Sequence, residues 1–190
     1  MVFFQHGLIS SADMWIGHRP ELAPAFQFAK EGYDVWLGNS RGNSHGRRHT
    51  HLNADKDAKE FFNFTFKEFG EFDLPASVDF VREKTGNKKV TYVGHSQGTT
   101  LLFYAMAKKN REYFETRFNL FVLMAPIMNL KHQSDSLISG LASNKNDIDY
   151  YIKKYGVYEI YGKKWKENMK IICGFSPGYC HWGDVLNVWF

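Results

Sequence analysis

Cysteine is nearly missing from this sequence: the 190 residues hold two, Cys173 and Cys180. Their spacing fits neither a CxxC pair nor a zinc-ligand pattern, which argues against a metal site. A short-loop disulfide and two buried thiols are both compatible with it. Long apolar runs are lacking too. The longest, LFVLMAPIM at 120–128, is strand-sized and falls well short of the roughly 20 residues of a membrane-spanning helix. No signal peptide is legible, because Met1 leads straight into VFF, the pattern of a buried strand. A chain that opens inside a strand reads as the interior of a longer protein. No internal repeat and no low-complexity stretch is present.

Excess charge of one sign is also wanting. The chain carries 24 Lys and Arg against 20 Asp and Glu, for a net charge of +4. The bases are scattered among acids apart from GRRHTH at 46–51 and a few lysine pairs. A nucleic-acid surface takes a clustered basic stripe, so the charges read as a solvated face and no nucleic-acid partner is expected.

What the chain does have is the composition of a globular protein, 44% hydrophobic and 23% charged, with length enough for one sizeable core. Aromatics reach 17% and thicken towards the C-terminus. They fit a Phe-rich core or a surface that handles apolar ligands.

Strand and helix patterns alternate along the first two thirds. VFFQHG (2–7) reads as a strand ending in a glycine turn. ELAPAFQFAKEG (21–32) has helical spacing at Leu22, Phe26 and Ala29, with Gly32 as its stop. YDVWLGNS (33–40) reads as a strand and RGNSHGRRHTH (41–51) as a polar loop. FDLPASVDFVREKTGN (72–87) predicts an amphipathic helix with Pro75 in its first turn and Gly86 after its end. KKVTYVGHS (88–96) is strand then turn, QGTTLLFYAMAKKN (97–110) a helix, and FNLFVLMAP (118–126) another buried strand. This alternation predicts an α/β protein with a mainly parallel sheet covered on both faces. After Pro126 the texture turns polar, Lys-rich and Tyr/Trp-rich, which reads as short helices outside the sheet.

The chemistry centres on TYVGHSQGTT (91–100), where Ser96 stands at GxSxG spacing. Chance alone supplies such a match in about one chain in twenty of this length, so the context has to decide. A strand leads in and a helix leads out, as a nucleophile elbow requires. The turn is tight enough to strain the backbone at Ser96, and side chains two residues either side would clash, hence Gly94 and Gly98. The plainer alternative is a glycine-rich turn whose serine only caps a helix. A nucleophilic serine also needs donors for an oxyanion. The N–H of Gln97, at a helix N-terminus, supplies one. The turn QHGLISS (5–11) offers the second, the N–H of Leu8, with Gly7 letting the backbone approach.

The blocks QHGLISSADMWI (5–16), GYDVWLGNSRGNSHGRRH (32–49), FDLPASVDFV (72–81) and YVGHSQGTT (92–100), in this order, resemble the acid lipases, α/β-hydrolases that include the gastric and lysosomal acid lipases. The close resemblance covers 2–126. IICG (171–174) also resembles a segment of that family's cap. The resemblance implies an α/β-hydrolase core over 1–126, incomplete at both ends, and a partial cap or lid over 127–190. It implies hydrolysis of carboxylic esters of hydrophobic alcohols, triacylglycerols or cholesteryl esters, without a cofactor or metal. Ser96 falls on the nucleophile, and Leu8 and Gln97 on the oxyanion hole. The aromatics after 127 fall on a cover for an apolar substrate or a face for a lipid–water interface. A secreted or lysosomal location is implied as well, and Asn63-Phe64-Thr65 is a glycosylation sequon that suits it.

An activated serine needs a histidine, and the histidine a carboxylate, in the chain order Ser, Asp, His. In the resembled family both lie beyond the cap, and no counterpart is found before Phe190. Only His181, preceded by Asp135, Asp147 or Asp149, satisfies the order. The expectation is therefore a piece of a lipase with nucleophile and oxyanion hole but no complete triad, and with an exposed sheet edge. Two other readings compete: a non-catalytic lipid-binding protein on the same fold, and a hydrolase of soluble esters, amides or peptides.

Overall fold

The computed structural model describes residues 1–131 and 136–159. Four strands form one parallel sheet: β1 (Val2–Gln5), β2 (Val35–Gly38), β3 (Val90–His95) and β4 (Phe118–Met124), in the order β2-β1-β3-β4. Val2 pairs with Val35 on one side and Thr91 on the other, so β1 is central. Helices α1 (Pro24–Lys30), α2 (Ala58–Phe61), α3 (Phe66–Glu68), α4 (Leu74–Thr85), α5 (Gln97–Lys108), α6 (Arg111–Arg117), α7 (Ser136–Ser143) and α8 (Lys145–Tyr155), with a 3-10 turn at Ala12–Trp15 and a π-type turn at Phe69–Asp73, complete the described elements.

The chain divides into two compact units. One is Met1–Arg47 with Phe64–Asn129; the other takes Arg48–Asn63 and the chain from Leu130. In the first, the inner strands β1 and β3 are largely buried on both faces, which explains why they read as unbroken apolar runs. Phe3, Val90, Tyr92 and Phe118 pack with Phe69, Leu74, Val78 and Val81 and with Leu101, Leu102 and Ala105 of α5. Across the sheet, Val2, Phe4 and Val93 meet Trp15 and Ala25. The alternation of Val2, Phe3 and Phe4 between these two cores follows from the period of two along a strand. In β4, Phe121 and Leu123 pack against the first core, while Leu120, Val122 and Met124 stay exposed. In the second unit, His49 lies edge-on to His51, and α8 carries a stacked pair, Tyr151 and Tyr155.

Three details correct the sequence reading. The helix predicted over 21–32 is shorter, because Pro24 starts it; a proline suits the first turn, where no N–H partner is needed. Leu22, Phe26 and Ala29, the face expected inside, are exposed, and Ala23 and Ala25 are buried instead. The helix predicted from 72 is preceded by α3 and a wide π-type turn, Phe69–Asp73. That wider turn runs directly into α4 and accommodates Pro75, whose ring would crowd the carbonyl four residues back in a regular helix. The stretch 111–117, given no structure from sequence, is α6, capped by Asn110 accepting from the Tyr113 N–H.

Gly32 and Gly86 hold φ of +85° and +68° just past α1 and α4, as the stop signals predicted.

Candidate active site

A parallel sheet offers its site at the carboxyl ends of the strands, where neighbouring connections leave in opposite directions. From β1 the chain goes outward to β2 on one side; β3 lies on the other. The two turns that face each other across this divide are the one after β1, 5–11, and the one after β3, which holds Ser96.

Ser96 joins β3 to α5 with φ +52° and ψ −115°, a conformation side chains rarely adopt. It makes no side-chain cap bond to α5, so the plainer reading of a capping serine does not describe it. Its hydroxyl has no hydrogen-bond partner among the described residues. Its own backbone is engaged: the Ser96 N–H donates to the Met124 carbonyl at 3.0 Å, which ties the turn to the end of β4, and the Ser96 carbonyl accepts from the Thr99 N–H.

The two flanking glycines have separate reasons. A β-carbon on Gly94 would stand 2.7 Å from the Tyr92 ring and 3.1 Å from the Gly98 backbone. One on Gly98 would stand 2.7 Å from the Gln5 carbonyl oxygen. The first permits the turn; the second lets α5 sit directly on β1. Tyr92 adds a bond of its own, donating its hydroxyl to the Gly98 carbonyl at 2.6 Å. Burial pushes that phenol well above its ordinary value, so it stays a donor.

The turn after β1 comes within contact of the serine. A β-carbon on Gly7 would lie 3.2 Å from Ser96 Cβ and from His95 Nδ1. Leu8 follows Gly7, and its side chain is exposed. Ile9 then takes φ +51°, unusual for a β-branched residue. Ala125, after β4, takes φ +47°. Thus β1, β3 and β4 are each followed within four residues by a strained non-glycine position, and such strain clusters at functional sites.

His6 fixes this turn. Its ring is buried and donates from Nδ1 to the Gly7 carbonyl at 2.8 Å, since a carbonyl can only accept. Nε2 accepts from the Ser40 N–H and from Asn43 Nδ2, both at 3.1 Å. Burial, first of all, lowers its pKa and keeps it neutral. Gln5 adds a bond to the Ser40 hydroxyl, and Asn39 accepts from the Ala12 N–H and from Asn43. Arg41 anchors the same loop to Asp73 through both its backbone N–H and its guanidinium. The segment GNSRGN after β2 is therefore a frame for the turn after β1.

None of the described histidines reaches the Ser96 hydroxyl. His6 has both nitrogens occupied; the Nδ1 of His95 is buried beside Gly7 with no hydrogen-bond partner. His45 is paired with Asp13, whose carboxyl it holds below the usual range, and His18, His49 and His51 are exposed. His132, His181, Asp135, Cys173 and Cys180 lie outside the described residues, as does 171–174. Among the described residues no group of three or more His, Cys, Asp or Glu could hold a metal, and no helix is long and apolar enough to cross a membrane. A cavity flanking β1 and β2 is lined by Phe3, Trp36, Gly38, Ala76, Phe80 and Val81, and includes no residue of the turns around Ser96.

Sequence reasoning passed over Thr99, Tyr92, Ile9 and the role of the 39–43 loop. A tyrosine inside a strand, whose hydroxyl must find a partner when buried, was the signal for Tyr92; nothing local marks Ile9.

Comparison with known proteins agrees with this geometry. A family model for the alpha/beta hydrolase fold matches residues 1–148. Human gastric triacylglycerol lipase is 45% identical over 141 residues, 74% of this chain and 34% of that protein. Human lipase member K is 45% identical over 69% of this chain and 32% of its own length, and human lipase member J 41% identical over 73% and 37%. The chain spans about a third of the length of these curated relatives. With its parallel sheet, its strained serine turn and these likenesses, the chain belongs to the α/β-hydrolase fold family, among the acid lipases.

Proposed function

We propose that this chain carries the nucleophile and oxyanion hole of a serine ester hydrolase acting on carboxylic esters of hydrophobic alcohols, triacylglycerols or cholesteryl esters. Ser96 attacks the ester carbonyl. The N–H groups of Gln97 and Leu8 receive the charge that develops on its oxygen. The observation that carries the reading is Ser96 itself, held at φ +52° at the mouth of the sheet's switch point with its hydroxyl uncommitted. Such strain has no structural use in a mere connection. The likeness to a triacylglycerol lipase supports the substrate class.

The base and its carboxylate are proposed to lie outside the described residues, because no described histidine hydrogen-bonds the Ser96 hydroxyl. Residues 127–190 serve as part of a cap over an apolar acyl site, and the exposed tyrosines of α8 suit a lipid–water interface. No cofactor enters the chemistry. A secreted or lysosomal route is proposed with it, supported by the exposed sequon at Asn63.

A fluorophosphonate probe tests the reading on the longest polypeptide that contains this sequence. Labelling at Ser96, absent in Ser96→Ala, is expected. A well-folded protein that does not label would leave only the non-catalytic, lipid-binding alternative. Faster turnover of short soluble esters than of emulsified long-chain ones would move the substrate class away from lipids.

A further inference from the structure

We propose that Thr99 is a positioning residue for the oxyanion hole, aiming the Gln97 N–H through the peptide group it shares with Ser96; this rests on Ser96 being the nucleophile. The Ser96 carbonyl and the Gln97 N–H belong to one planar peptide unit and point in opposite directions. Whatever fixes the carbonyl therefore fixes the N–H. Thr99 is completely buried and does this twice, donating its hydroxyl to the Ser96 carbonyl at 2.6 Å and its backbone N–H at 2.9 Å.

The hydroxyl has one proton and could in principle turn elsewhere. It is held by a third group: the Ile127 N–H donates to Thr99 Oγ1 at 2.9 Å. With a lone pair so occupied, the proton is directed to the Ser96 carbonyl. The segment leaving β4 thus bears on the nucleophile's peptide group through one side chain. The neighbouring Thr100 provides an internal contrast. Its hydroxyl donates to the Ile127 carbonyl at 2.7 Å, clasping the same segment, but does not touch the Ser96 carbonyl. Loss of either hydroxyl loosens 125–127; only loss of the Thr99 hydroxyl takes a side-chain bond from the Ser96 carbonyl, leaving it the backbone N–H groups of Thr99 at 2.9 Å and Thr100 at 3.4 Å.

The test is the labelling rate with a fluorophosphonate, together with kcat and KM on p-nitrophenyl butyrate, in the longest polypeptide containing this sequence. Thr99→Val should lower both the labelling rate and kcat about 10-fold, less than the 100-fold or more that follows outright removal of a donor, and leave KM unchanged. Thr99→Ser, which keeps the hydroxyl, should restore the rate. Thr100→Val should lose thermal stability to a similar degree with kcat within about 2-fold of wild type. Should Thr99→Val not fold, Thr99→Ala deletes the same hydroxyl and carries the same expectation. Equal rates for wild type and the Thr99 variants, or an equal loss in Thr100→Val, would overturn the proposal while leaving Ser96 as nucleophile. A folded wild type that does not label overturns the Ser96 reading and this one with it.

Discussion

Gly98 lies against the backbone of Gln5: a methyl group on its α-carbon would stand 2.7 Å from the Gln5 carbonyl oxygen and 2.9 Å from that of His6. Neither side can give way easily, since β1 is paired on both edges and α5 begins at the serine turn. Gly98→Ala should therefore push α5 off β1 and part the two turns that make the site. The expected outcome is a loss of about 1–3 kcal/mol of stability from overpacking and about a 100-fold slower fluorophosphonate labelling from misplacement near 1 Å. Urea midpoint and labelling rate check it; a rate within a factor of two of wild type would contradict it.

Ser96 at φ +52° carries backbone strain of about 1–3 kcal/mol. Glycine relieves it, although its freer unfolded chain takes some of the gain back. Ser96→Gly should raise stability by up to about 1 kcal/mol and abolish labelling. Ser96→Ala should abolish labelling with no such rise. Equal midpoints for the two variants would mean the turn is not strained.

His6 predicts a pH dependence whose sign follows from its burial. Its folded pKa is below the ordinary 6.5, so above about 6.5 the ring is neutral in both states and stability is at its full value. As pH falls below 6.5 the unfolded state takes up the proton first. Stability then declines, by at most about 1.4 kcal/mol per pH unit, until the lower folded value is passed. His6→Asn should lack this part of the decline. Urea midpoints of both proteins at pH 7.5 and 5.0 decide it: parallel losses would show that His6 does not titrate in this way.

At Asn63, glycan and helix cap can be separated. Asn63 is exposed, while the Thr65 hydroxyl and Glu68 form a capping box for α3. Expressed through a secretory route, the protein should shift in mobility on glycosidase treatment, and Asn63→Gln should remove the shift without destabilising the unglycosylated chain. Thr65→Ala should remove the shift and also cost about 1 kcal/mol. An unshifted wild type would mean that the sequon is not used.

The sequence disclosed the sheet and the serine turn because their signals are local: apolar runs of strand length, glycines at fixed offsets, a serine between strand and helix. It disclosed less where partners are distant. For α1 the apolar spacing points to the wrong inner face: Phe26 and Leu22 look like core residues, yet the small Ala23 and Ala25 are buried, and Ala25 packs with Val2 and Phe4. The His6–Ser40 bond spans 34 residues, and Thr99 reaches Ile127 across 28. No periodicity encodes such pairings. Ile9 at positive φ runs against its residue type, so only the surrounding turn can impose it.

The three strained positions Ile9, Ser96 and Ala125 share one rim of the sheet, and none has a local drive to form. Their conformations depend on β1 pairing with β3 and β3 with β4, Val2 meeting Thr91 across 89 intervening bonds of chain order. Assembly of the sheet must precede the chemistry, because a half-formed chain cannot hold a serine at this angle. The reactivity proposed for Ser96 is thereby tied to completed folding: a nascent or misfolded chain lacks the strained turn on which that proposal rests.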